Sequence, residues 1–139
     1  MTVVRESISI NTQGKTEIID ISEDIRQKVV ESGINSGIVI VFVSGSTAGL
    51  TTIEYEPGLL ADFQTLWKRI APDNIPYDHD ERWGDGNGYS HVRASLLGAS
   101  LTVPFTHKKL DLGTWQQIVL VDFDNRPRSR RIILQIVGE

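Results

Sequence analysis

The sequence contains no cysteine, which excludes a disulfide framework, a thiolate nucleophile and a sulfur-ligated zinc site. Any metal must be held by imidazole, carboxylate or water. Long apolar runs are also missing. None approaches the roughly 20 residues that a bilayer-crossing helix needs, and residues 1–10, with Arg5 and Glu6 among them, lack the apolar centre of a signal peptide. With no cysteine to oxidise, a cytoplasmic protein without a membrane partner is expected. There is no surplus of positive charge: 14 Lys and Arg against 18 Asp and Glu give a net charge of -4, so a general nucleic-acid partner is not expected. No Ser-His-Asp order, P-loop or dinucleotide fingerprint occurs. The two Gly-x-Gly pieces around Asp85 and Asn87 do not follow a strand and open a helix as a Rossmann turn must.

What is present suits one domain over residues 1–139, since a chain of this length with 40% hydrophobic residues can bury a single core unaided. Residues 3–10 alternate apolar and polar, and residues 15–21 resume the pattern after Asn11-Thr12-Gln13-Gly14, which predicts an opening β-hairpin. Ser22 reads as the cap of a helix with Glu23 and Asp24 in its first turn and Ile25, Val29 and Val30 on one face; Gly33 is its stop. Residues 37–44 are apolar at nearly every position and predict a central strand covered on both faces. The small, hydroxyl-bearing residues 45–50 follow, where Ser46 and Thr47 can meet a ligand or simply make a turn. Residues 51–55 predict a strand with Glu54 close to that loop. Pro57 opens a second helix, on which Leu59, Leu60, Phe63, Leu66, Trp67 and Ile70 recur at helical spacing before Pro72 ends it. Residues 100–105 and 110–112 predict a hairpin, and residues 115–123 and 130–137 an antiparallel pair joined by the turn chemistry of residues 124–127.

Residues 77–98 differ from the rest, concentrating His79, His91, Asp78, Asp80, Glu81, Asp85 and Asn87 among glycines. His79 and His91 stand 12 positions apart across a glycine-rich bend, and with Glu54 or Asp80 they offer a ligand set for zinc or another divalent ion. The short spacing that usually marks a zinc site is absent, and capping or surface roles are the plain alternative. His91 also suits acid-base catalysis because imidazole titrates near neutrality, with Asn87 to orient it or to bind substrate. His107, beside Lys108 and Lys109, reads as solvated surface. Arg126 and Arg128 read as charge that keeps an edge or interface strand soluble. Arg130 and Arg131 stay open between that role and phosphate binding.

The blocks GNGYSHVRASLLGASLTVPF and LGTWQQIVLVDFD and the closing VGE resemble the YjbQ family, whose members are often described as secondary thiamine-phosphate synthases. The resemblance covers essentially the whole chain. It implies an α+β fold, a two-sheet, mainly antiparallel β-sandwich with two helices, assembled as a homotrimer. The implied activity joins a pyrimidine diphosphate to a thiazole phosphate; the alternative is a non-catalytic protein that binds a small phosphorylated metabolite or a metal ion. On this resemblance Glu54, Asn87 and His91 would be catalytic and Ser95, Thr114, Trp115 and Gln116 would bind substrate; the residues themselves add Ser46 and Thr47 to the substrate-binding set, and His79 with His91 as holders of a divalent metal, magnesium or zinc. Two departures stand out. Many relatives carry His-Thr-Thr where this chain has Gly45-Ser46-Thr47, and some have His where this chain has Tyr89, so a site of three imidazoles would here rely on carboxylate or water instead.

Overall fold

Two antiparallel sheets stack face to face in the computed structural model, which describes residues 1–139. The larger sheet has the order β1 (Thr2–Thr12), β8 (Arg128–Gly138), β3 (Gly37–Val43), β5 (Ser100–Thr106), β6 (Lys109–Leu110). The smaller has the order β2 (Glu17–Asp20), β7 (Gln117–Asp122), β4 (Ala48–Ile53). Four helices accompany them: α1 (Ser22–Glu31), α2 (Pro57–Ile70), α3 (Asp78–Trp83) and α4 (Gly88–Leu97).

Alternation in the strands decides what each face meets. Val39, Val41 and Val43 of β3, Val103 and Phe105 of β5, and Ile132, Leu134 and Ile136 of β8 turn inward onto Leu50, Ile118 and Leu120 of the small sheet, with Ile25 and Val29 of α1 in the same core. The other face of the small sheet carries Ile18, Val119, Val121 and Phe123, and these pack on Trp67 of α2 and Ala94 of α4. The result is three layers, with the small sheet in the middle. Each such side chain stabilises the fold by roughly 1.5–3 kcal/mol on full burial.

Several expectations are corrected. Residues 3–10 and 15–21 do not form a hairpin: β1 pairs along its whole length with β8, from Thr2↔Gly138 to Thr12↔Arg128, while β2 pairs with β7. Likewise β7 and β8 lie in different sheets, so residues 124–127 cross between layers. Alternation identifies a strand with one buried face but not the partner it bonds to. The strand covered on both faces is β7, with Ile118 to Asp122 all buried; β3 leaves Ile38 39% and Phe42 42% exposed on its outer side. Ser22 does not cap α1. It is the helix's first residue, its hydroxyl accepts from the Ile118 N–H, and the Asp20 carboxylate accepts from the Ser22 N–H.

Pro57 does open α2, and Glu56 accepts from the N–H groups of Gly58 and Leu59 at 2.9 and 2.7 Å. Those bonds hold the Glu56 carboxyl below its ordinary value. The predicted β5–β6 hairpin is present. The helix count is four rather than two because residues 77–98 fold into α3 and α4. No helix is long and apolar enough to cross a membrane.

Candidate functional site

The link between α3 and α4 builds the site. Gly84 ends α3 in the left-handed region, with φ 72°, and Asp80 then accepts the Gly88 N–H at 2.8 Å. A carboxylate at this end of α4 suits the positive end of its dipole. The approach is so close that a Cβ on Gly88 would stand 2.6 Å from the Tyr77 Cβ, so only glycine fits. The bend lays His79 of α3 against His91 of α4, with ring centroids 4.5 Å apart and planes tilted by 44°. The sequence spacing had suggested this meeting without establishing it.

The cluster of potential ligand atoms forms around His79. His79 Nδ1 lies 3.6 Å from Asp80 Oδ1 and 3.4 Å from Asp85 Oδ1, yet it is buried and makes no hydrogen bond. The ligand atoms of His79, Asp80 and Asp85 all lie within 4.8 Å of one another. Donors about 2.1 Å from a tetrahedral ion are about 3.4 Å apart, so this set has the dimensions to hold a divalent cation. It is the carboxylates, rather than His91, that complete the cluster.

On the far side of His91 opens a pocket of about 270 Å³ bounded by Gly45, Ser46, Ala94, Ser95 and Gly98. Behind Gly45 stands the guanidinium of Arg130, whose Nη1 is 2.6 Å from the position a Gly45 Cβ would take. A side chain at residue 45 and this placement of Arg130 therefore exclude one another. Arg130 is held firmly: Nε donates to Asp122 Oδ2 at 2.7 Å, and Nη2 donates to Asp122 Oδ1 at 2.9 Å and to Thr47 Oγ1 at 2.6 Å.

Below lies an ionic network that the sequence reading missed. Asp122 and Asp124 are both 0% exposed, and Arg128 Nε donates to Asp124 Oδ2 at 2.7 Å. Arg128 is thus a partner of a buried acid and not merely a solubilising charge. Thr47 donates to Asp124 at 2.9 Å while accepting from Arg130, which commits its hydroxyl proton to the network, and Thr47 is not among the residues that bound the pocket. Asn87 is 4% exposed; its amide nitrogen, turned toward Asp85, donates to both carboxylate oxygens at 3.1 and 3.2 Å. It supports the α3–α4 link from below and does not face the pocket.

Burial, the largest single influence on Asp124, raises its pKa. Hydrogen bonds from Arg128, Thr47 and the Asn125 N–H together outweigh burial and hold the carboxyl below its ordinary value. A depressed folded pKa contributes stability above the unfolded value of about 3.9, and that stability is lost as pH falls through the folded value. Replacing Arg128 with Met removes the leading stabiliser of the charge. Arg128→Met is therefore expected to have a lower urea midpoint than wild type at pH 7 and a smaller further fall between pH 5 and pH 3, because less carboxylate stabilisation remains to be lost; pH profiles that run parallel would contradict this assignment.

Four expected site residues lie elsewhere within the chain. Glu54 follows the far end of β4 from Ala48, so the intervening strand, at about 3.3 Å per residue, separates it from the His91 pocket by roughly 20 Å. It shares a different cavity with Trp115. Gln116 accepts from the Gly113 N–H and donates to Thr52, and Thr114 is exposed in the same turn. Ser46 and Ser95 do line the His91 pocket.

Comparison with known proteins extends these observations. A family model described as UPF0047 protein YjbQ-like matches residues 6–139. A UPF0047 protein of Methanothermobacter thermautotrophicus is 37% identical over 139 residues, covering 100% of this chain and 95% of that protein. The UPF0047 protein YugU of Bacillus subtilis is 31% identical, covering 96% and 98%. Among solved structures, a YbjQ-like protein of unknown function from Sulfolobus solfataricus superposes with a TM-score of 0.93 at 36% identity, covering 99% of each chain.

Proposed function

Because this chain belongs to the YjbQ-like UPF0047 family, we propose that the pocket beside His91 binds a phosphorylated metabolite and that the protein is a thiamine-phosphate synthase-like transferase. One observation carries the reading: His91 on α4 and the hydroxyl-bearing Ser46 and Ser95 line one small pocket, and the Arg130 guanidinium stands against Gly45 at its edge. In the reaction, the ring nitrogen of a thiazole phosphate forms a C–N bond to the methylene carbon of a pyrimidine diphosphate. The C–O bond breaks and its electron pair leaves on pyrophosphate. Negative charge gathers on the departing oxygens, where preorganised donors contribute most. The hydroxyls of Ser46 and Ser95 would donate there, His91 would deliver a proton to the leaving group, and Arg130, whose Nη1 stands against Gly45, would add positive charge at the pocket edge. A divalent ion, magnesium or zinc, held by His79, Asp80 and Asp85 would add charge neutralisation for pyrophosphate.

A homotrimer is part of this proposal. Val3, Ile38 and Phe42, 56%, 39% and 42% exposed on the large sheet, give that sheet apolar side chains to pack against further copies, and sedimentation equilibrium should give three chains per particle.

Purified protein supplied with both precursors and magnesium is expected to form thiamine phosphate. His91→Ala should lose about 100-fold or more of that rate while keeping its circular dichroism. No product from the wild type would end the transferase reading. Saturable calorimetric binding of the pyrimidine diphosphate without consumption would instead establish a non-catalytic binding module for a phosphorylated metabolite or metal, the reading that Gly45 favours because it offers the pocket no side chain.

A further inference from the structure

Helix α4 has a second polar face. At 100° per residue, Arg93 points about 200° away from His91, so it faces the opposite side of the helix from the pocket described above. Arg93 is 3% exposed. Its Nε donates to the Ala71 carbonyl at 2.9 Å and its Nη1 to the Thr16 hydroxyl at 2.8 Å, while Nη2 is buried with no partner at all. The guanidinium lies over the ring of Tyr89, with Cζ 4.8 Å from its centroid. Asp73 acts on it only through space.

A buried guanidinium without a carboxylate is costly, and an unmet donor on it more so. The surroundings identify what would meet it. Arg93 forms part of the wall of a cavity of about 430 Å³ that also contains Lys15, Thr16, Lys68, Asp73 and Tyr89, a volume inside the range of roughly 300–1,000 Å³ common for ligand pockets. Three cations against one acid leave a net charge suited to a dianion. The guanidinium fork matches phosphate oxygens in geometry as well as charge.

We propose that this cavity is a second anion site, separate from the His91 pocket, and that it takes a phosphate-bearing ligand. Arg93 Nη2 receives one oxygen at the floor, and the ammonium groups of Lys15 and Lys68 neutralise the remaining charge at the rim. The site depends neither on His91 nor on a metal.

Amide NMR spectra recorded during titration with inorganic pyrophosphate, without added metal, test it. Saturable shifts are expected at Lys15, Thr16 and Lys68, and these persist in His91→Ala. The double variant Lys15→Ala/Lys68→Ala changes exposed side chains only and so stays folded; in it the affinity read from those amides is expected to fall about tenfold or more. Shifts confined to Ser46, Ser95 and their neighbours, no saturable shifts, or equal affinity in the double variant would each overturn the proposal. Failure of the transferase reading would instead appear as wild-type protein that makes no thiamine phosphate, whatever these amides do.

Discussion

Asp122→Ala is expected to destabilise the protein by about 3–5 kcal/mol, a large part of the roughly 5–15 kcal/mol that holds an ordinary domain together. The carboxylate accepts from four donors: Arg130 Nε, Arg130 Nη2, the Thr12 hydroxyl and the Asp124 N–H. Removing it leaves the guanidinium of Arg130, 7% exposed, with only Asp124 Oδ2 at 3.8 Å as a charged neighbour. Most of the penalty comes from that stranded charge rather than from the lost attraction, since taking both ions out of water is itself expensive. The double variant Asp122→Ala/Arg130→Met should therefore be more stable than Asp122→Ala alone. Urea unfolding of the three proteins measures both effects. A single variant that loses under about 1 kcal/mol would mean that the ion pair is incidental to the fold.

The same pair explains what sequence could and could not disclose. Asp124 looked like the beginning of a turn because an acid next to Asn125, Arg126 and Pro127 is ordinary turn chemistry, and Asp122 fell within the predicted strand of residues 115–123. Their burial follows from β7 being the middle strand of the middle layer, which depends on pairings with β2 and β4 far away in the chain. A signal did exist. Acids at 122 and 124, and arginines at 128 and 130, share a two-residue spacing on either side of one short turn, as two facing charged pairs require. Elements with strong local periodicity, such as α2 and the β5–β6 hairpin, were legible because their residues declare their own geometry. Strand partners were not, since alternation is the same whichever neighbour a strand bonds to.

The site divides along similar lines. His79 and His91 could be linked from sequence because a glycine-rich bend connects them over a short distance. Glu54 was put beside the 45–50 loop by its place in the next strand, and the 114–116 turn was added through resemblance to a family; neither a strand position nor a motif records how far apart residues fold. Arg93 drew no attention at all. Within the run HVRASLLG it is one cation on a helix, and only the packing of Ala71, Thr16 and Tyr89 around it makes it a buried one.

Phe123→Ala is expected to cost about 3–5 kcal/mol, the usual range for emptying a buried phenylalanine site. Phe123 is 0% exposed and meets the Trp67 ring edge-on, with centroids 4.8 Å apart, while Phe63 packs on Trp67 at 5.6 Å. Those aromatic contacts join α2 to the small sheet, and edge-on pairs add roughly 0.5–1.5 kcal/mol beyond the area they bury. Trp67 reports the loss directly. It is 3% exposed, whereas Trp83 and Trp115 are 66% and 71% exposed, so a cavity beside Trp67 should move the blue part of the tryptophan emission to the red. The backbone of Phe123 also anchors the site: its N–H donates to the Thr47 carbonyl at 2.9 Å and its carbonyl accepts from the Ser90 hydroxyl at 2.5 Å. Hydrogen exchange should accordingly speed up at the amides of Ser90 to Arg93 in the variant. If stability falls while those amides keep their protection, α4 is held in place by Arg93 bridging to Thr16 and Ala71, and the buried guanidinium would then serve the fold as well as a ligand.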